Sequence, residues 1–186
     1  MKLSVPDKIL SIIDSIHENG SQELTRLTVL KKWFQDPNRL SAFSIFIAKR
    51  VVHRNQKSQG DAGKLFQEAR ELLAPVDELN PTISEQQIEK VCDSLHEYQN
   101  DTKKLKWARV RIIKVNDLFI IEEAFKILLW DLGNPSSGYR LAAKYCENYD
   151  PSYGNNLNKG SVKALKEIAN FIMRYEDVLM DCNIDN

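Results

Sequence analysis

A chain of 186 residues, 42% of them apolar and 28% charged, is long enough to bury about 70% of its unfolded surface without disulfides. Its 7 Gly and 6 Pro are too few for an all-β or linker-rich protein. The 26 basic and 26 acidic side chains cancel, so no overall field draws the molecule to a polyanion or an anionic membrane.

In chain order, Ile9, Ile12, Ile13 and Ile16 recur at helical spacing and Asn19-Gly20 supplies a stop, predicting a helix over about Pro6 to Glu18. The start is no secretory signal, because Asp7, Lys8 and Asp14 interrupt its apolar run and no small-residue cleavage site follows. Leu24, Leu27, Leu30 and Phe34 form the next stripe. Asp36-Pro37 reads as a cap with Pro at the first helical position, opening a helix with Leu40, Phe43, Ile47 and Val51 on one face and cations in its last turns. Ser58 to Asp61 is a break, and Leu65, Phe66, Ala69, Leu72 and Leu73 mark a fourth helix ending before Pro75. The overlapping capping boxes Thr82-x-x-Glu85 and Ser84-x-x-Gln87 open a fifth, with Ile88, Val91, Cys92 and Leu95 buried.

Leu105 to Trp130 is the stretch that the rest must surround. Helical throughout, it is roughly 39 Å long, and from Leu118 to Trp130 only Glu122, Glu123 and Lys126 carry charge. Its early stripe, Leu105, Ala108, Ile112, Val115 and Phe119, lies on the side where Glu122, Glu123 and Lys126 fall further along. Either one helix passes between neighbours on opposite sides, or the chain breaks at Asn116-Asp117. The absence of Gly and Pro from Asp101 to Leu132 favours continuity. Leu132 to Pro135 ends the helix, Ser137 to Tyr149 forms a short one, and Pro151 to Gly160 is a loop. Ser161 is then read as the cap of a last helix striped by Val162, Leu165, Ala169, Ile172, Tyr175, Leu179 and Cys182. The expected fold is all-α, a compact bundle of seven or eight helices in one domain, 1–186, around a long, largely buried central helix at about 102–131. Asp14-Ser-Ile-His-Glu18 and Asp93-Ser-Leu-His-Glu97 are nearly the same word; they suggest a weak internal repeat, 6–75 and 84–150, with chance as the other reading.

Chemistry is sparsely signalled. The Asp14/His17 and Asp93/His96 pairs put carboxylate and imidazole on one helix face, as di-metal bundles do, and Glu122 and Glu123 are the only further carboxylates on offer. Cys92-x-x-x-His96 is half a zinc site without a second half. The plainer reading is a surface Asp and His at a helix end, so no metal and no cofactor are expected. Phosphate loops, metalloprotease spacing and a Gly-x-Ser-x-Gly elbow are all missing, and no catalytic residue is assigned. Glu122-Glu123 is the one place for a raised carboxylate pKa; it is otherwise the solvent edge of a mostly buried helix.

Charge is segregated along the chain, basic over 1–59 and acidic over 60–101. Two basic strips stand out, Lys49, Arg50, Arg54 and Lys57, then Lys103, Lys104, Arg111 and Lys114. They can bind phosphate, with Trp107 to stack, or face the acidic helix carrying Glu85, Glu89, Asp93 and Glu97. Lacking interleaved aromatics, they make nucleic acid the second alternative only. Residues 138–154 hold four of the six tyrosines. Tyr139, Arg140, Tyr149 and Tyr153 are the candidate partner-binding residues; the competing account has Tyr139, Tyr145 and Tyr149 pin a helix and its loop to the bundle.

The expected function is a non-catalytic protein-interaction module that binds another protein, or a second copy of itself, through helix faces and the Tyr-rich segment. The first alternative is an enzyme with a metal or small-ligand site in the bundle. Three widely spaced cysteines without CxxC suit a reducing cytoplasm, and no stretch reaches the ~18 apolar residues of a membrane span.

Overall fold

The computed structural model describes residues 4–19, 26–101, 109–149 and 157–184, without the side chains of 15–19, 109–115, 157–158 and 180–184. Among these residues are eight α-helices and no strand: α1 Val5–Asn19, α2 Leu30–Trp33, α3 Pro37–Arg54, α4 Gly60–Leu73, α5 Glu85–Asp101, α6 Arg109–Lys126, α7 Pro135–Glu147 and α8 Leu157–Ile184. A π-helical turn, Ile127–Asp131, continues α6.

Local chemistry sets where the helices begin. Ser4 Oγ accepts from the Asp7 N–H while the Asp7 carboxylate accepts from the Ser4 N–H, a reciprocal cap at the start of α1. Asp36 accepts from the Asn38 N–H at 2.9 Å, with Pro37 beside it, and Asn134-Pro135 repeats the device for α7 with Ser136 as donor. Gly60, at φ +72°, makes the left-handed turn from α3 into α4 that a side chain resists.

Helix α3 is enclosed further than its one-faced stripe predicts. Ala42 to Ala48 are all buried, Ser44 included, because α4, α6 and α7 all pack against α3. Ser44 escapes the cost of a buried hydroxyl by donating to the Leu40 carbonyl at 2.8 Å. Helix α6 shares the centre, between α3, α4 and α5 and, further round, α7. On the other side, α8 lies along α1 and α7. Trp33, Phe34, Phe43, Phe46, Phe171 and Tyr175 lock α2, α3 and α8 together; the rings of Phe46 and Phe171 stack at 4.4 Å. Each such ring, fully buried, contributes roughly 1.5–3 kcal/mol. One continuous cluster of buried apolar side chains draws on all eight helices.

The central helix runs unbroken through Asn116-Asp117; of its early apolar stripe only Phe119 has a described side chain, and it is 42% exposed. The described part of the helix begins at Arg109; residues 102–108 lie outside the description. As continuity implies, Asp117 caps nothing and is buried in mid-helix. Two expectations are corrected. Trp130, read as the end of the core run, is 64% exposed, because at about 100° per residue it falls on the side of Phe119, Glu123 and Lys126, away from the side that buries Phe125 and Leu128. Ser161 is no cap: α8 starts at Leu157, and the Ser161 hydroxyl, fully buried, donates to the Cys146 carbonyl and ties α8 to α7.

Candidate functional site

Arg54, in the first basic strip, is turned inward. Its guanidinium donates from two nitrogens to the two Asp117 oxygens and from the third to the Tyr149 carbonyl. Asn55 adds a 2.6 Å bond to Asp117. The guanidinium also lies over the rings of Tyr145 and Tyr149, 5.5 and 5.8 Å from their centroids. Both phenols donate to the Glu167 carboxylate of α8. Tyr149, expected to be exposed for a partner, instead packs edge-on against Tyr145 at 5.4 Å and closes this network. Burial raises both phenols above their ordinary range, with hydrogen bonds to Glu167 adding to it, so they stay neutral donors. Asp117 is raised by burial, with Arg54 opposing. These groups hold α3, α6, α7 and α8 in place.

The other residues of the Tyr-rich segment lie elsewhere. Arg140 is exposed and donates to Ser137 Oγ at 2.9 Å; Ser137 in turn donates to Asp131, next to Trp130 on the π turn. This chain of bonds sets Arg140 and the exposed indole at one corner of the molecule. Tyr139, half-buried one position before Arg140, has the Lys31 ammonium 5.0 Å above its ring. Tyr153 lies outside the described residues. Sequence reasoning missed Trp130, although a Trp immediately before Asp131-Leu132-Gly133 stands where a helix is ending.

Glu122 is not at a solvent edge. It is 2% exposed, held by Lys126 at 2.6 Å and facing His96 Nδ1 at 3.3 Å. Lys126 is raised by its hydrogen bond to this carboxylate. Glu123 turns instead to Lys144, 3.5 Å away. Asp14 and Asp93 are exposed; α1 packs mainly against α8, and α5 against α4 and α6, so the two similar words have different surroundings. The His17 side chain is outside the description. Among the described residues no three His, Cys, Asp or Glu side chains converge to hold a metal ion. Cys92 is 2% exposed and pushed up to about 11, first by burial and then by Glu122, the opposite of an activated nucleophile. What the cluster offers is a neutralised buried carboxylate at the α5–α6 contact.

Of the first basic strip, Lys57 is exposed, while Lys49 and Arg50 border a cleft of about 380 Å³ between α3 and the end of α4. Lys49 donates to the Val76 carbonyl, which fixes its ammonium at the rim. The Arg50 guanidinium lies 5.5 Å from the Phe46 ring centroid. Arg70 of α4, which no sequence pattern singled out, completes the lining across from them. Of the second strip, Lys103 and Lys104 lie outside the described residues, as do the side chains of Arg111 and Lys114. Compared with protein families, with curated proteins and with solved structures, the chain matches none.

Proposed function

We propose that this chain is a non-catalytic interaction module whose partner is another protein, and that the contact is centred on the corner where the π turn meets α7. The observation that carries the reading is Trp130, an indole 64% exposed beside an Arg140 oriented by its bond to Ser137. Trp, Tyr and Arg are the residues that dominate protein–protein contacts, since each brings a large rigid surface and a polar group at low entropic cost. Tyr139, with Lys31 against it, borders the same helix. Within the Tyr-rich segment this favours Tyr139 and Arg140 and leaves Tyr149 a structural residue.

The test replaces Trp130 by a photo-crosslinking phenylalanine analogue in the native cell, with the same analogue at Lys64, whose side chain is 80% exposed on α4, as control. A discrete protein adduct from position 130, lost when Arg140→Ala is added, is the expected result; an adduct at the mass of two chains identifies the partner as a second copy. Identical smears from both positions, or no adduct at 130, overturns the proposal.

A further inference from the structure

The cleft between α3 and α4 supports a second site, independent of the Trp130 corner. Lys49, Arg50 and Arg70 line it. Lys49 bonds to a neutral carbonyl, Arg50 lies by a ring, and Arg70 has no carboxylate partner among the described residues. Glu78, the one carboxylate in the lining, is neutralised by Arg174 at 2.7 Å. Three positive charges thus border one concavity with no internal acid to answer them. The dipole of α3 accounts for cations in its last turn, such as Arg54, but its influence does not reach back to Lys49 and Arg50. The neutral net charge of the chain makes this local excess a placement rather than a consequence of composition.

We infer that this cleft binds a phosphate monoester. A monoester carries about −1.5 to −2 charges at neutral pH and three acceptor oxygens, which suits two guanidinium forks and an ammonium that border one cleft. His53 and Gln56, further along α3 in the same wall, add side-chain nitrogens for the remaining acceptors. Val52 and Leu73, both buried, form an apolar floor against which the carbon skeleton of the ester rests. The volume is within the range of small-ligand sites, so the phosphate belongs either to a free small molecule or to a phosphorylated side chain on another protein. In both cases the group recognised is the same.

Calorimetry and backbone amide shifts of the full chain at low salt test this with four probes: glucose 6-phosphate, a phosphoserine peptide, its unphosphorylated form, and an oligonucleotide without terminal phosphate. The expected result is millimolar or tighter binding of at least one monoester, with shifts confined to residues 49–56 and 70–78. Arg70→Gln should weaken it by about tenfold or more, Arg70→Lys by less, and Lys64→Gln, outside the cleft, not at all. Binding of the sugar phosphate identifies a small-molecule site; binding of the phosphopeptide alone identifies a protein source. The inference is overturned if neither monoester binds, if Lys64→Gln weakens binding as much as Arg70→Gln, or if the oligonucleotide binds more tightly than both monoesters. If Arg70→Gln lowers the melting temperature, Arg70→Lys carries the comparison.

Discussion

Asp117 shows what a single buried charge requires of its surroundings. Its side chain is 4% exposed, and the carboxylate is tolerable in mid-helix because Arg54 meets both oxygens and Asn55 donates a further bond. Removing one partner of such a pair costs about 3–5 kcal/mol, since the other charge is left buried and uncompensated. Arg54→Met is therefore expected to be severely destabilised, and Arg54→Met with Asp117→Leu to recover much of the loss. The pH dependence has a definite sign. Burial raises the Asp117 carboxyl and Arg54 is the main influence opposing that, so the variant's folded pKa moves higher still. A carboxyl with a higher pKa folded than unfolded stabilises the fold fully only below its unfolded value of ~3.9, and that contribution is lost as pH rises through the folded value. Urea titrations should find the deficit of Arg54→Met smallest near pH ~4 and growing toward neutrality; a deficit independent of pH would place the loss elsewhere. Arg54 and Asp117 are 63 residues apart, and no spacing rule relates them. The sequence marks Arg54 as one cation of a basic strip and gives Asp117 no partner, because local pattern carries no information about what faces a side chain across the core.

Among the elements, α7 is seated on a glycine. A Cβ on Gly138 would come within 2.6 Å of the Phe34 ring and 2.7 Å of a Leu40 methyl, both fully buried, so Gly138 is what lets α7 approach α2 and α3. Alanine there gains about 1 kcal/mol of helix propensity, against an overpacking cost of about 1–3 kcal/mol where rings cannot move. Gly138→Ala should be destabilised by about 1 kcal/mol and melt about 2–4 °C lower; a higher melting temperature would show that the Phe34 ring yields. The π turn after Lys126 ends α6, and the adjoining α7 supplies Arg140 and Tyr139. A period of 3.6 residues buries Phe125 and turns Trp130 outward with Phe119, Glu123 and Lys126; the place of Trp130 at the end of an apolar run, not its register, is what suggests burial.

Over the whole molecule, stability should follow enclosure. The middle of α3, 42–48, is buried all round, whereas α1 rests mainly on α8. In native-state hydrogen exchange the amides of 42–48 should open only with global unfolding, and those of α1 at a lower free energy by separation from α8. Equal protection in α1 and α3 would mean that the bundle opens as a single unit. Two spines, α3 and α6, thus share the centre that the sequence assigned to α6 alone. Leu118 to Trp130 advertises itself by its scarcity of charge; α3 shows a stripe of Leu40, Phe43, Ile47 and Val51, and its other faces, with Ile45 and Phe46 beside Ala42, Ser44 and Ala48, are buried as well because α4, α6 and α7 enclose them. Whole-molecule charge is equally silent about the cleft, because Arg70 joins Lys49 and Arg50 only when α4 folds back on α3.

The sequence by itself determined the helical class, most helix starts, the continuity of α6 and the inner faces of α1, α4 and α5. Each of these depends on neighbours within about four residues, through caps, side-chain period and the absence of Gly or Pro. Only the tertiary structure decided that Arg54 and Tyr149 face inward, that Glu122 is buried beside His96, and that Arg70 stands across from Lys49. Those placements depend on which helices meet and at what register, and they are set by packing among residues far apart in the chain.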